Sequence, residues 1–205
     1  MSSPIDSLRP DLDGFNASAY PLDVRGWGSD APIFQRLLAR TRPRLIVEVG
    51  SWLGASAIHM AGVCNALHLD CPIVCIDTWL GSYEFISAGD ARDLRLLYGY
   101  PQVYYQFLAN VVQCGHQDRI IPFPQTSLTA LRWLYHQGVR ADLIYLDGSH
   151  DARDVTADIA AALPVLSERG VLFGDDYDSW PDVRRAVEAC GRSFDVEDNR
   201  YWVLR

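Results

Sequence analysis

The stretch from Ala141 to Tyr177 constrains the fold more than any other part of the chain. It contains two apolar runs, ADLIYLD and VLFGDD, separated by a segment of helical character, DARDVTADIAAALPVLSERG. A strand, a crossover helix and a second strand form a βαβ unit with parallel strands and a right-handed crossover. Neighbouring parallel strands lie about 4.8 Å apart and end at the same edge of the sheet. We therefore expect Asp147, Asp175 and Asp176, which end these two runs, to lie close together.

The rest of the chain repeats this alternation of apolar strands and amphipathic helices. Strands are predicted at 44–50, 72–77 and 119–124, and helices at 31–41, 54–69, 89–98, 102–115, 127–137 and 180–190. Ser29 or Asp30 is the expected cap of the first helix. The tail, SFDVEDNRYWVLR, predicts an antiparallel hairpin. The pattern predicts an α/β, doubly wound, mostly parallel Rossmann-like sheet with helices on both faces. It also predicts one domain over 1–205, with an N-terminal arm at 1–30 and a variable, lid-like segment at 78–118.

Composition narrows the possible partners and location. The 205 residues carry a net charge of −8 without a basic run, which argues against nucleic acid as a partner. No apolar stretch approaches the roughly 20 residues needed to span a bilayer. The five cysteines are scattered and odd in number. Reduced thiols in a cytoplasmic protein, without a membrane partner, are the expectation.

The segment EVGSWLGAS, which follows the first predicted strand, is typical of a nucleoside-binding turn. Gly50 allows a sharp turn, and Gly54 allows the backbone to approach a ligand. Asp77, at the end of the next strand, is placed to accept hydrogen bonds from two ribose hydroxyls. The G-x-x-x-G spacing differs from the dinucleotide G-x-G-x-x-G, and the nearby acids suit a nucleoside without phosphates. This favours S-adenosylmethionine over NAD, with a tight turn that binds nothing as the alternative.

The converging carboxylates of Asp147, Asp175 and Asp176 indicate a metal site. Oxygen ligands suit Mg²⁺, and the sequence does not distinguish Mg²⁺ from Mn²⁺. Adjacent acids at a strand end otherwise repel each other, although helix caps or a solvated turn would also explain them. His150 lies three residues after Asp147 and is the candidate general base, with Asp151 as a second candidate or as the group that orients His150.

These motifs together resemble the class I S-adenosylmethionine-dependent methyltransferases, and within them the metal-dependent sugar O-methyltransferases. The matching segments are EVGSWLGAS at 48–56, CID at 75–77, LDGSH at 146–150 and FGDDY at 173–177. The resemblance implies a catalytic role for His150 and Asp147. It implies cofactor contacts from Glu48, Gly50, Ser51, Gly54, Ser56 and Asp77, and metal ligation by Asp147, Asp175 and Asp176.

The predicted function is methyl transfer from S-adenosylmethionine to a hydroxyl of a sugar or glycoside, with Mg²⁺ or Mn²⁺. Trp79, Tyr177 and Trp180 follow the ends of the expected active strands and are weak candidates for contact with the saccharide. The alternatives are a catechol or vicinal-diol O-methyltransferase and a non-catalytic S-adenosylmethionine-binding module. An NAD dehydrogenase fits less well because the glycine spacing is wrong. A homodimer is plausible for a chain of this length.

Overall fold

The computed structural model describes residues 3–87 and 91–205, and within them seven strands form one sheet. The strands are β1 (Ile46–Val49), β2 (Ile73–Asp77), β3 (Ile120–Pro124), β4 (Ala141–Leu146), β5 (Leu166–Gly174), β6 (Phe194–Glu197) and β7 (Tyr201–Leu204). Their order is β3-β2-β1-β4-β5-β7-β6. The first five are parallel, and β7 is antiparallel to both β5 and β6. The predicted doubly wound sheet and C-terminal hairpin are confirmed.

Helices pack on both faces of this sheet. They are α1 (Pro32–Thr41), α2 (Ala55–Ala66), α3 (Tyr83–Ser87), α4 (Val103–Gln113), α5 (Ser127–His136), α6 (Ala152–Ala162) and α7 (Pro181–Ala189). Successive residues of a strand point to opposite faces, so both sides of β1 are buried: Ile46 packs with α1, α2 and α4, and Val47 packs with α5, α6 and α7. Burial on both faces explains why the parallel strands are nearly continuous apolar runs in the sequence.

The C-terminal hairpin is anchored to the sheet by the indole of Trp202. This side chain is 1% exposed, and its Nε1 donates a hydrogen bond to the Asp175 carbonyl at 3.2 Å. A Cβ on Gly174 would lie 2.3 Å from the indole, so glycine is required for this close packing. The hairpin thereby carries Arg200 and Tyr201 to the edge of the sheet where β5 ends.

Three local predictions were wrong in detail. The segment predicted as helical up to residue 170 is α-helical only up to Ala162, and β5 already begins at Leu166. The N-cap of α1 is Ala31, without a side-chain hydrogen bond, so neither Ser29 nor Asp30 caps the helix; Pro32 at the first helical position sets the start instead. The helix predicted at 89–98 falls partly on residues outside the described part. In the described part of that segment there is a 3₁₀ turn at Ala91–Leu94, followed by a bridge between Leu97 and Tyr100.

The part of the N-terminal arm around Pro21 and Asp23 is hydrogen-bonded to α4. Asn110 accepts a hydrogen bond from the Asp23 amide at 3.0 Å and donates to the Leu53 carbonyl at 2.8 Å. Gln106 donates to the Pro21 carbonyl at 2.8 Å. These buried amides fix residues 21–29 beside the end of β1. Among the described helices, none is both long and apolar enough to cross a membrane.

Candidate active site

A cavity of about 900 Å³ opens at the carboxyl ends of the parallel strands. This volume lies near the upper end of the roughly 300–1,000 Å³ typical of small-molecule sites. The order of the strands reverses between β1 and β4, and ligands of doubly wound folds bind at such a switch point. The predicted residues on its wall are Gly50, Ser51, Ser56, Asp77, Trp79, Asp147, His150, Asp176 and Trp180. Among the described residues, four predicted site residues lie off the wall: Glu48, Gly54, Asp175 and Tyr177.

Gly50 brings the first turn into contact with the turn after β4. Its φ is +85°, and an added Cβ would lie 2.0 Å from the Asp147 carbonyl oxygen. Only glycine adopts this conformation at this separation without strain. Gly54 has φ +86°, and a Cβ added there would lie 3.0 Å from the Phe107 ring. Gly54 therefore permits packing of α2 against α4, where the sequence predicted an approach to a ligand.

Glu48 supports the turn from beneath the cavity wall. It is fully buried and accepts hydrogen bonds from the Ser51 hydroxyl at 2.6 Å and from the Ser56 hydroxyl at 2.5 Å. Burial raises the pKa of Glu48, and the two hydroxyls oppose that rise. Glu48 itself lies off the cavity wall, and its two partners, Ser51 and Ser56, reach the cavity; the cofactor contact of Glu48 stays a prediction.

Asp77 joins the ends of β1 and β2. Its carboxylate accepts hydrogen bonds from the amides of Ser51 at 2.9 Å, Trp52 at 2.8 Å and Trp79 at 2.7 Å. Burial raises the pKa of Asp77, while these backbone donors favour the ionised form. The carboxylate also lines the cavity, where a ligand hydroxyl can approach it. It is therefore able to accept a further hydrogen bond from a ligand hydroxyl.

The acids of β4 and β5 converge as predicted. The Tyr145 hydroxyl lies 3.1 Å from Asp147 Oδ2 and 3.3 Å from Asp175 Oδ2, so it bridges the two carboxylates. Burial, followed by the negative charges of Asp175 and Asp176, holds the pKa of Asp147 well above its usual range. Three acids at one sheet edge repel one another, and a positive charge beside them stabilises their ionised forms.

Arg200, on the C-terminal hairpin, places a positive charge beside one of these acids, Asp175. Its Nε donates to Asp175 Oδ1 at 2.5 Å, and its Nη2 donates to Oδ2 at 2.7 Å. Such a two-pronged pair is among the stronger hydrogen-bonded arrangements of a carboxylate. Within the described residues, no group of three or more His, Cys, Asp or Glu side chains is arranged to hold a metal ion. The prediction from the sequence overlooked Arg200, which lies 25 residues from Asp175.

His150 lies beside Asp176 and Trp180. Its Nε2 is 2.9 Å from Asp176 Oδ2, and its ring stacks on the Trp180 indole with centroids 4.3 Å apart and planes 2° apart. An ionised carboxylate only accepts hydrogen bonds, so Nε2 is a nitrogen that carries a proton in this contact. Asp151, considered as an orienting group, instead caps α6 by accepting a hydrogen bond from the Arg153 amide at 2.8 Å.

Aromatic side chains form one wall of the cavity. Trp27, 66% exposed, stacks on Trp52 with ring centroids 5.0 Å apart. Trp79 is 3% exposed and packs against Phe107, so most of its surface belongs to the core. Tyr177 does not reach the cavity: its hydroxyl lies 3.1 Å from Glu188 Oε1, and the residue packs on the opposite side of the sheet edge.

The opposite wall was not predicted from the sequence. It includes Gln125, Thr126 and Ser127, which follow β3, and Asp158 on α6. The Ser127 hydroxyl donates to Asp158 Oδ1 at 2.5 Å. Burial raises the pKa of Asp158 to about 6. Gln125 directly follows a parallel strand, and this position in the sequence could have been used to predict that it lines the cavity.

Comparisons with known proteins agree with this geometry. A family model described as "Methyltransferase domain" matches residues 47–177. The uncharacterized protein y4gI of Sinorhizobium fredii is 30% identical over 150 residues, which is 73% of this chain and 15% of that protein. This chain therefore spans only a small part of the length of that curated relative.

Solved structures show the same fold at low identity. An O-methyltransferase from Bacillus cereus, in complex with SAH, is 17% identical, with a TM-score of 0.58 over 100% of this chain and 91% of that chain. The calicheamicin methyltransferase CalS11 is 18% identical, with a TM-score of 0.62 over 100% of this chain and 94% of that chain. CalS11 is also described as a TDP-rhamnose 3'-O-methyltransferase. At these identities the likeness concerns the fold.

Proposed function

Since this chain belongs to the methyltransferase-domain family, we propose that it transfers the methyl group of S-adenosylmethionine to a hydroxyl of a sugar or glycoside. The observation that carries the proposal is a single cavity that joins the Gly50 turn to the His150–Asp176 pair. One side of this cavity suits a nucleoside, and the other holds a base with its orienting acid. Activity therefore requires the methyl donor and the acceptor to meet between these two sides.

The donor is proposed to lie over the Gly50 turn. Asp77 accepts a ribose hydroxyl, and Ser51 and Ser56, held by Glu48, complete the turn beneath it. S-adenosylmethionine supplies an electrophilic methyl group and leaves as a neutral thioether. The site therefore has little charge to stabilise on the leaving group, and alignment of the acceptor contributes most of the rate enhancement.

His150 is the proposed general base. Asp176 lies against Nε2, orients the ring and stabilises the imidazolium that forms when His150 takes the proton of the acceptor hydroxyl. The acceptor oxygen bonds to the methyl carbon as the sulfur–carbon bond breaks. The parallel Trp180 indole restricts rotation of the His150 ring, which keeps the base in position.

Asp147 and Asp176 are the proposed ligands of Mg²⁺ or Mn²⁺. Mg²⁺ in enzymes is commonly held by one or two carboxylates, with waters completing its shell. The two acids line the cavity, and their combined charge matches one divalent cation. A bound cation would polarise the acceptor hydroxyl and favour its ionisation. The sequence predicted Asp175 as a third ligand, but its carboxylate is paired with Arg200.

A saccharide acceptor is supported by the aromatic wall. The exposed face of Trp27 and the ring of Trp180 border the cavity next to the acids, and aromatic faces pack on the apolar faces of sugars. The description of CalS11 as a TDP-rhamnose methyltransferase adds support by analogy of fold. The homodimer and the cytoplasmic location stay predictions.

Two measurements test this proposal. Calorimetric titration with S-adenosylmethionine is expected to show binding to the wild type and weaker binding to Asp77→Asn, with Asp70→Asn as an exposed control. A mass-spectrometric screen of sugars, glycosides and catechols, run with and without EDTA, is expected to show methylation of a sugar hydroxyl. Absence of cofactor binding would overturn the proposal, and methylation of catechols alone would replace the saccharide with the catechol alternative.

A further inference from the structure

The Asp175 carboxylate is hydrogen-bonded to groups of the protein on both of its oxygens. Oδ1 accepts from Arg200 Nε at 2.5 Å and from the Asp176 amide at 2.6 Å. Oδ2 accepts from Arg200 Nη2 at 2.7 Å and lies 3.3 Å from the Tyr145 hydroxyl. Of the roughly four lone-pair sites of a carboxylate, Arg200 and the Asp176 amide take three, and the single Tyr145 proton is shared between Asp175 and Asp147. The side chain is only 1% exposed.

Only one of the three acids at this sheet edge is paired with a guanidinium in the described part of the chain. Arg200 neutralises Asp175, and the acids that remain without a guanidinium are Asp147 and Asp176, both on the cavity wall. Asp147 lies close to the Tyr145 hydroxyl, and Asp176 lies close to the His150 ring. One divalent cation would balance these two carboxylates, whereas it would have to displace Arg200 in order to reach Asp175.

The same guanidinium also holds the aromatic wall. Arg200 Nη2 donates to the Trp27 carbonyl at 2.9 Å, and the neighbouring Tyr201 hydroxyl donates to the Gly28 carbonyl at 2.8 Å. Asp198 and Asn199, which precede Arg200, both have left-handed φ values, so the turn of the hairpin fixes the direction of this side chain. Movement of Arg200 away from Asp175 would therefore also disturb the backbone beside the acceptor side of the cavity.

We propose that Arg200 is a positioning residue that occupies the place of a third metal ligand and competes with a divalent cation for Asp175. In the native protein a divalent cation then binds through Asp147 and Asp176, and Asp175 is reserved for the guanidinium that anchors the Trp27 segment. This inference rests on the metal site of the proposed function. It does not depend on which acceptor is methylated.

The test is a titration of the purified full chain with Mn²⁺, followed by electron paramagnetic resonance of the free ion. The proteins are the wild type, Arg200→Gln, Asp175→Asn and the double variant. Arg205→Gln is the matched control, since Arg205 lies on the same hairpin and pairs with the exposed Asp195. Circular dichroism confirms that each variant is folded. Calorimetry with S-adenosylmethionine on the same samples reports separately on the donor site.

Arg200→Gln is expected to bind Mn²⁺ about tenfold more tightly than the wild type, because a third carboxylate joins the ligand set. Asp175→Asn alone is expected to leave the affinity within about threefold, and in the double variant the gain is expected to disappear. The control should match the wild type. If Arg200→Gln does not fold, Arg200→Lys takes its place, with a smaller gain, since an ammonium cannot make the two-pronged contact.

Two results would overturn the inference. One is loss of Mn²⁺ binding in Asp175→Asn with Arg200 intact, which would make Asp175 a ligand in the native protein. The other is equal Mn²⁺ affinity, or equal lack of binding, in the wild type and in the Arg200 variant. Failure of the proposed function is measured separately. It would appear as absent binding of S-adenosylmethionine or absent methyl transfer, and neither depends on the outcome of the Mn²⁺ titration.

Discussion

Asp176 accepts a hydrogen bond from His150 Nε2 at 2.9 Å, and this contact joins the loops that follow two neighbouring parallel strands. The pair lies on the wall of the same cavity as the Gly50 turn. An acid held against one ring nitrogen restricts the orientation of the imidazole. This contact therefore provides the fixed ring that the proposed reaction requires.

Replacement of His150 by Ala is expected to reduce methyl transfer by about 10²- to 10⁴-fold, the usual contribution of a general base. Calorimetric affinity for S-adenosylmethionine is expected to stay within about threefold, because His150 is assigned to the acceptor side. His136→Ala, at the exposed end of α5, is the control. A mild loss in His150→Ala would favour an acceptor that is acidic by itself, such as a catechol.

Replacement of Gly50 by Ala is expected to damage both stability and donor binding. The new Cβ would lie 2.0 Å from the Asp147 carbonyl oxygen at a φ of +85°. A left-handed conformation alone costs about 1–2 kcal/mol for a residue with a side chain, and the clash adds to this. Chemical denaturation and titration with S-adenosylmethionine measure the two effects.

Gly62→Ala serves as the control for Gly50→Ala. Gly62 lies within α2, and an added Cβ would have open space around it. This change is expected to raise the free energy of unfolding by about 0.5–1 kcal/mol. Unchanged donor affinity in Gly50→Ala would contradict the assignment of this turn to the donor.

Replacement of Trp27 by Ala is expected to act on the acceptor. Trp27 is 66% exposed, so its loss should leave the stability nearly unchanged, while removal of a stacking surface worth about 1 kcal/mol raises the acceptor KM about fivefold. Steady-state kinetics with the best acceptor of the screen measures this. Tyr98→Ala, at a residue 99% exposed and off the cavity wall, should leave KM unchanged. An unchanged KM in Trp27→Ala would remove Trp27 from the acceptor site.

Asp158 is expected to make the stability depend on pH. Burial raises its pKa from the ordinary 3.8 to about 6, so the folded protein binds this proton more tightly than the unfolded chain does. The stabilising contribution is complete below about pH 4 and is lost as the pH rises through about 6. At neutral pH the difference amounts to at most about 3 kcal/mol.

Urea denaturation of the wild type and of Asp158→Asn at several pH values tests this. The stability of Asp158→Asn relative to the wild type should increase between about pH 4 and pH 7. Asp70→Asn, at an exposed acid, should show no such trend. Parallel stability curves for the wild type and Asp158→Asn would contradict the raised pKa.

The sequence was sufficient to predict the features that depend on local patterns. Apolar runs with a polar residue at their ends predicted the parallel strands, and the shared sheet edge then brought Asp77, Asp147 and Asp176 to one cavity. Gly50 was identified because sharp turns require its conformational freedom, although its close contact with Asp147 became apparent only in the structure.

Features that depend on tertiary packing were not predictable in the same way. Arg200 reaches Asp175 only because the hairpin folds back along β5, which no local pattern indicates. Tyr177 was expected in the site because it follows a strand end. Asp176, with φ +67°, turns the chain there, and the Tyr177 amide bonds to the Arg200 carbonyl, so the ring points away from the cavity.

Transfer of an isotopically labelled methyl group from S-adenosylmethionine to a glycoside hydroxyl, compared between the wild type and His150→Ala, tests the central claim most directly. We predict labelled methyl ether in the wild-type reaction and about 10²-fold or greater loss in the variant. Donor binding without transfer to any hydroxyl of the panel, or equal transfer by both proteins, would contradict it.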